Sequence, residues 1–187
     1  IQMKKITIYG LMIVAGLSGW SCKKSLLNLP SKSNYDYSTY FNNSTALNQA
    51  TIATYATLLH NGLWAREYYF IFDLLGHDAK RTTNLLGDLE QLADFSFGTN
   101  QPEIGQLWSS LYRLIFRANV VIDRANAWNP EDPSDQALVK QYVAEVKFLR
   151  AYAYFNIVNL WGDAPLITSY DSTLNTHYHS RTTAATL

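Results

Sequence analysis

Ala144-Glu-Val-Lys-Phe-Leu-Arg-Ala-Tyr-Ala-Tyr-Phe-Asn-Ile-Val-Asn-Leu-Trp-Gly-Asp-Ala-Pro-Leu166 is the stretch that decides the fold. It reads as the end of a long helix with a hard stop. The part leading into it is amphipathic, with Lys140 and Lys147 on one side and Leu138, Tyr142 and Leu149 on the other. From Ala151 to Trp161 it is apolar almost all round, which predicts enclosure by neighbouring elements. Gly162 offers a C-terminal cap, and Pro165 prevents the helix from resuming.

Upstream, the same logic predicts three more helices. Ser44 or Thr45 can cap a helix over Ala46–His60, closed by Asn61-Gly62. Leu47, Ala50, Thr54 and Leu58 form its stripe, with Ile52, Tyr55, Ala56 and Leu59 beside it. A shorter helix fits Leu63–Leu75, where Trp64, Tyr68, Phe72 and Leu75 are spaced for one face, with Gly76 closing it. Pro102-Glu103 opens a third, because proline suits the first turn and glutamate favours the positive end of the helix dipole. Its stripe runs Ile104, Leu107, Trp108, Leu111, Ile115, Ala118, Ile122, Ala125, and Asn129-Pro130 ends it. Asp132-Pro133-Ser134 starts the fourth, which continues to Trp161.

Four helices paired by short turns predict an all-α fold of two helical hairpins. No 34-residue self-similarity is visible, so periodicity alone supports only the all-α class. The least regular part is His77 to Gln101, a long loop with a helical turn around Asp88–Ala93. Loops of that length inside a compact domain are often functional.

Glu145-x-Lys147-Phe148-Leu149-Arg150-Ala151-x-x-Tyr154-Phe155, followed by Asn159-Leu160-Trp161-Gly162-Asp163-x-Pro165-Leu166, resembles the signature helix of the SusD/RagB family. Trp108-x-x-Leu111-Tyr112 and Ala118-Asn119-x-x-Ile122 resemble a second pattern of that family. The resemblance implies a tetratricopeptide-like helical frame, here its N-terminal part. It implies an outer-membrane lipoprotein of Bacteroidetes, facing the cell surface, that binds glycans or other nutrients. Such a protein hands oligosaccharides to a TonB-dependent outer-membrane barrel (SusC-like), acting as its lid, with no catalysis and no cofactor. The chain looks truncated on this comparison: Arg181–Leu187 resembles the start of a further helix, and Thr168–Arg181 a loop leading to it. Part of the family's binding site lies on loops of the 78–100 region, but no ligand motif there is invariant.

The N-terminus reads as an address. Met3 is taken as the start, Lys4 and Lys5 form a positive region, and Ile6 to Gly19 is apolar, about 14 residues where a bilayer span needs roughly 20. Gly19-Trp20-Ser21-Cys22 then resembles a lipobox, which implies lipidation of Cys22 and cleavage after Ser21. Gly19 and Trp20 depart from the usual pattern, and an ordinary secretory signal or a short signal anchor is the alternative. Residues 1–21 are thus read as a signal peptide, 22–43 as a tether and 44–187 as the helical domain. Lys23 and Lys24 stand where surface-exported lipoproteins often carry acids, so the outward direction rests on the family resemblance alone.

Composition narrows the function. Formal charge is zero over the whole chain, and without residues 1–21 there are 13 basic against 15 acidic residues. No basic face for nucleic acid and no polybasic membrane signal is visible. Cys22 is the only cysteine, which excludes an intrachain disulfide. Aromatics make up 14% of the chain, 13 of them tyrosines, which suits core packing and also stacking on sugar rings.

Enzyme motifs are not found: no Gly-x-Ser-x-Gly elbow, no Walker loop, no Gly-x-Gly-x-x-Gly. Asp73, Asp78, Asp88 and Glu90 are near in sequence but read as solvated or capping acids rather than a glycosidase pair. His177-x-His179 lacks a third metal ligand at suitable spacing. Glu145 and Arg150 read as an internal network, and Asn156 and Asn159 as bonds across helices or to a loop. Sugar recognition needs an aromatic platform with planar polar groups beside it, and Trp64, Arg81 and Asn84 are the candidate ligand-binding residues. Two rivals stand beside the nutrient-binding reading: an envelope scaffold for protein partners, and a fragment of a glycoside hydrolase lipoprotein.

Overall fold

The computed structural model describes residues 40–76, 78–79, 87–170 and 179–187, and Cys22, His77, Arg81, Asn84 and His177 lie outside them. Five α-helices lie within those residues. α1 spans Ser44–Ala56, α2 Glu67–Leu75, α3 Gly87–Ala93, α4 Pro102–Ala127 and α5 Pro133–Trp161. The frame is all-α and tetratricopeptide-like, as expected, with one two-residue antiparallel ladder added to it.

The caps explain where the long helices begin and end. Gln101 caps α4, its side-chain oxygen accepting from the Ile104 N–H at 3.1 Å. Asp132 caps α5 by accepting from the Ser134 N–H at 2.7 Å and its hydroxyl at 2.6 Å. Those bonds hold the Asp132 carboxyl below its ordinary range, the hydroxyl bond most of all. Gly162 ends α5 with φ +70°, a backbone angle that side chains rarely adopt. α1 is capped by Asn43 rather than by Ser44 or Thr45, because Asn43 has extended backbone (φ −156°) and its Oδ1 reaches the Ala46 N–H at 2.8 Å.

α4 and α5 form a closed antiparallel hairpin, and the other helices pack at its two ends. At the turn end, Leu47 of α1 meets Ala118, Val121, Ile122 and Ala125 of α4 and Val146 of α5. At the open end, Leu63, Ile71, Leu74, Leu89 and Leu92 meet Leu107, Leu111, Leu114 and Ile115 of α4 and Leu149 and Ile157 of α5. α1 therefore packs on α4 and α5, whereas α2 packs on α3 and α4.

Two expectations are corrected here. α1 ends at Ala56 in a single 3₁₀ turn, Thr57–Leu59, and Ile52, Tyr55 and Leu59, expected beside the stripe, are exposed. α2 starts at Glu67, not Leu63, and buries Glu67, Ile71 and Leu74 instead of Trp64 and Phe72. The cause is Gly62. It lies so close to α4 that a Cβ there would stand 2.6 Å from the Gln106 carbonyl oxygen. Leu63 then enters fully buried and sets the helix one residue out of the expected phase.

The segment after α5 is tied back over the hairpin by side chains. Tyr112 donates to the Pro165 carbonyl at 2.8 Å, and Tyr154 accepts from the Ile167 N–H at 2.6 Å. Asn119, fully buried, donates to the Ile167 carbonyl at 2.9 Å and accepts from Arg150 at 2.6 Å, while Arg150 also donates to the Thr168 carbonyl at 2.9 Å. Asp123 accepts from the Tyr170 N–H. Burial raises the Tyr112 and Tyr154 phenols above their ordinary pKa. Arg150 is thus the structural residue the sequence implied, but its partner is Asn119 rather than Glu145, which accepts from Gln141.

The strap presents a short edge. β1 (Ala164–Pro165) pairs antiparallel with β2 (Arg181–Thr182), and Asp163 accepts from the Ala184 N–H at 2.9 Å. Arg181–Thr182 is therefore strand, not the start of a helix; a single turn follows from Thr183. The end of α5 is also not enclosed all round. Ala153, Tyr154, Asn156 and Ile157 are buried, but Phe148 and Phe155 are 71% and 67% exposed, since α1, α4 and the strap cover one side only.

Candidate functional site

The candidate site lies where residues 94–101, after α3, return to the helical frame. α3 ends in a reverse-turn cap in which the Ser96 N–H donates to the Gln91 carbonyl at 3.0 Å. That geometry gives Phe95 a positive φ of 53°. Glycine is the usual occupant of such a position, because a Cβ there costs roughly 1–2 kcal/mol. The phenylalanine is 52% exposed, and its ring centre lies 6.2 Å from that of Phe97. A bulky aromatic held in a costly conformation and turned toward solvent marks a constrained position rather than a core one.

Phe97 opens onto a cleft of about 740 Å³, also lined by Ile71, Leu75, Thr99, Trp161 and Arg181. That volume is in the range of small-ligand sites. Trp161 is set by the edge of Trp108, with ring centres 5.0 Å apart at 74°. Arg181 is carried there by the β1–β2 pairing. The cleft thus combines an apolar wall and aromatic faces with a hydroxyl and a guanidinium, which suits a ligand with flat C–H faces and polar edges.

At the starts of α2 and α4, which carry Ile71 and Ile104 to the cleft, is a buried polar cluster that the sequence did not reveal. Glu67 and Glu103 are 1% and 5% exposed. Arg66 pairs with Glu67, reaches Glu103 at 3.7 Å and lies over the Phe70 ring at 5.3 Å. Gln101 donates to Glu103 at 2.8 Å and to the Asp88 carbonyl at 2.9 Å. Both glutamates stand in the first turn of a helix, where an acid reads as an exposed dipole partner, so only packing reveals their burial. The acids proposed from sequence are unlike them: Asp73, Asp78 and Asp88 are exposed and Glu90 half-buried. Among the described residues no three His, Cys, Asp or Glu side chains come together as a metal site.

Of the ligand candidates, Trp64 alone falls within the described residues. It is 46% exposed, yet it does not line the cleft. Its indole N–H donates to the Tyr152 hydroxyl at 2.9 Å and its ring meets Tyr152 edge-on at 5.9 Å. From Tyr152 the aromatic row continues to Tyr68, whose phenol is pushed up to about 12 by burial and by Tyr152, and then to Phe72 at 4.6 Å. Tyr68 donates to Asn156 at 3.1 Å, the cross-helix bond expected of that asparagine; Asn159 bonds within α5 to the Phe155 carbonyl. Phe97 lines the cleft and Trp64 does not, while Phe95 stands exposed beside Phe97. Their signal, a Phe-x-Phe pair just past a short helix, was present but had no periodicity to distinguish it.

Comparisons with known proteins agree with this architecture. A sequence family described as SusD-like, starch-binding and associating with the outer membrane, matches residues 25–187. SusD-like protein P25 of Formosa agariphila is 31% identical over 176 residues, covering 89% of this chain and 32% of that protein. A SusD-like protein of Bacteroides ovatus is 25% identical over 147 residues, 79% of this chain and 26% of its own length. The crystal structure of a SusD homolog from Bacteroides thetaiotaomicron superposes with a TM-score of 0.68 at 25% identity, over 84% of this chain and 30% of that one. The chain thus spans about a third or less of the length of these relatives. With its signature helix and a family match over residues 25–187, the whole of its helical part, the chain belongs to the SusD-like family.

Proposed function

We propose that this chain belongs to a glycan-binding outer-membrane lipoprotein that delivers oligosaccharides to a TonB-dependent barrel, and that the cleft beside Phe97 is where the sugar rests. The observation that carries this reading is Phe95, an exposed aromatic held at φ 53° beside a cleft with an aromatic wall and a polar rim. Sugar rings present C–H faces to aromatics and hydroxyl edges to groups such as Thr99 and Arg181. The family description, starch-binding and associating with the outer membrane, supports the ligand class and the compartment. Residues 1–21 serve as signal, Cys22 carries the lipid, 22–43 form the tether, and the anchor faces outward. Arg81 and Asn84, which lie outside the described residues, are assigned to sugar binding on sequence grounds alone. The role requires binding and release, with no catalytic step.

Calorimetry on the full chain in detergent, with maltoheptaose and a panel of other oligosaccharides, tests it. Saturable binding to one glycan class without hydrolysis is expected, with Phe95→Ala and Phe97→Ala each weakening it about tenfold and Trp64→Ala much less. Release of shorter sugars supports the hydrolase alternative instead. Mass spectrometry of the N-terminal peptide is expected to find Cys22 acylated; an unmodified thiol overturns the anchor.

The scaffold reading is favoured by one observation, the exposed Phe148 and Phe155 on α5. Two exposed aromatics seven residues apart on one helix face suit contact with a protein partner. If no glycan binds while Phe148→Asp releases a co-purifying protein, the scaffold reading wins.

A further inference from the structure

We propose that Gln101 is a positioning residue: by tying α3 to the start of α4 it holds the 94–100 loop, and so Phe95 and Phe97, in the shape that accepts a ligand. This rests on the cleft being the binding site. Gln101 is 4% exposed and uses every part of its carboxamide. Its oxygen caps α4 through the Ile104 N–H at 3.1 Å. Its nitrogen donates to the Asp88 carbonyl at the opening of α3, at 2.9 Å, and to Glu103 at 2.8 Å. Its own N–H donates to the Gly98 carbonyl at 3.3 Å.

One side chain therefore fixes both ends of the loop. α3 enters it, α4 leaves it, and the bond to Asp88 sets the distance between them. Behind this bond, Glu103 is held by Arg66, which is itself paired with Glu67 at the start of α2. The three helices that bound the loop and cleft thus meet at Gln101 through α3, α4 and the Arg66 pair. No residue of the loop from Asp94 to Asn100 is itself buried, so its shape depends on such bonds rather than on core packing. Glutamine suits the position because it accepts and donates at once; a carboxylate could cap α4 but could not donate to the Asp88 carbonyl.

Hydrogen exchange by mass spectrometry on the full chain tests this, comparing wild type with Gln101→Glu, Gln101→Ala and Glu103→Gln. Gln101→Glu keeps the cap acceptor, loses the donor and sets a second carboxylate beside Glu103, whereas Gln101→Ala loses the donor without that charge. Amides of residues 94–101 are expected to exchange about tenfold faster in both Gln101 variants, while amides of α4 and α5 beyond the first turn stay unchanged. Glu103→Gln keeps an acceptor for Gln101, and loop exchange is expected to stay at the wild-type rate. Loop protection unchanged in Gln101→Glu overturns the proposal. So does loosening of loop and core together, which would show a purely global role.

A parallel titration with maltoheptaose, or with whichever glycan of the panel wild type binds, reads the consequence. Affinity is expected to fall about tenfold in Gln101→Glu at unchanged stoichiometry. Faster loop exchange with unaltered affinity overturns the positioning role. If wild type binds no glycan, the sugar reading fails, and the exchange data still decide whether Gln101 holds the loop.

Discussion

The α4–α5 hairpin and the α2–α3 corner share an apolar core but differ in the polar bonds added to it. The hairpin is a repeating apolar seam, Leu107 to Ala125 against Val146 to Ile157, closed by a strap whose backbone is held by Tyr112, Asn119, Arg150 and Tyr154. The corner buries Ile71, Leu74, Leu89 and Leu92 against the hairpin, and to that seam it adds single polar bonds from Arg66 and Gln101 to buried carboxylates and a carbonyl. A seam spreads its energy over many small contacts, so it tolerates local change. A polar cluster concentrates its energy in a few bonds, and losing one exposes a desolvated group. The frame is built the first way, and the corner adds the second to it.

The largest effect is expected in the seam. Leu111→Ala, at a site with no solvent exposure, should destabilise by about 2–5 kcal/mol in urea melts. A cost under about 1 kcal/mol would show that the seam is looser than the contacts imply. Asn119→Ala should cost about 2 kcal/mol, because it removes one of two donors to the Ile167 carbonyl and the acceptor of one Arg150 bond. Hydrogen exchange should then show residues 163–170 opening first; equal loosening throughout would count against the strap as a separate unit.

Gly162→Ala should cost about 1–2 kcal/mol. Nothing lies within 4 Å of the added Cβ, so the whole effect is backbone strain at φ +70°. Phe95→Gly sharpens the contrast from the other side. It relieves the positive φ, so stability should change by less than about 1 kcal/mol and in the stabilising direction, while glycan affinity falls about tenfold. A drop in both would place Phe95 among the frame residues.

The most gradual test is alkaline titration. Tyr68, Tyr112 and Tyr154 all have phenols raised above 10.0 by burial. The folded chain therefore holds these protons more tightly than the unfolded one. Their contribution is complete below the ordinary pKa and is lost as pH climbs from about 10 through 12 and beyond. Ionised Tyr68 loses its bond to Asn156 and ionised Tyr112 its bond to Pro165, and the Tyr68 phenol is raised less than that of Tyr112, so the α2 contact should loosen before the strap. Melting temperatures from about pH 8 to 11 that stay flat would contradict this.

The hairpin was almost entirely legible in the sequence. A 3.6-residue apolar period, Pro102 and Pro133 in first turns and Gly162 at the end specify α4 and α5 to within two residues, because these signals act locally. The signature motif gave the family for a related reason: Arg150, Tyr154 and the stretch from Gly162 to Leu166 serve one structure, the strap.

The phase of α2, the burial of Glu67 and Glu103, the exposure of Phe148 and Phe155, and the meeting of Phe97 with Trp161 and Arg181 were decided only by tertiary packing. Each depends on which residues far along the chain arrive beside it, as Gly62 against Gln106 shows. Period and caps describe a helix by itself. Which of its sides turns inward, and which polar groups must then find partners, is set by the helices around it.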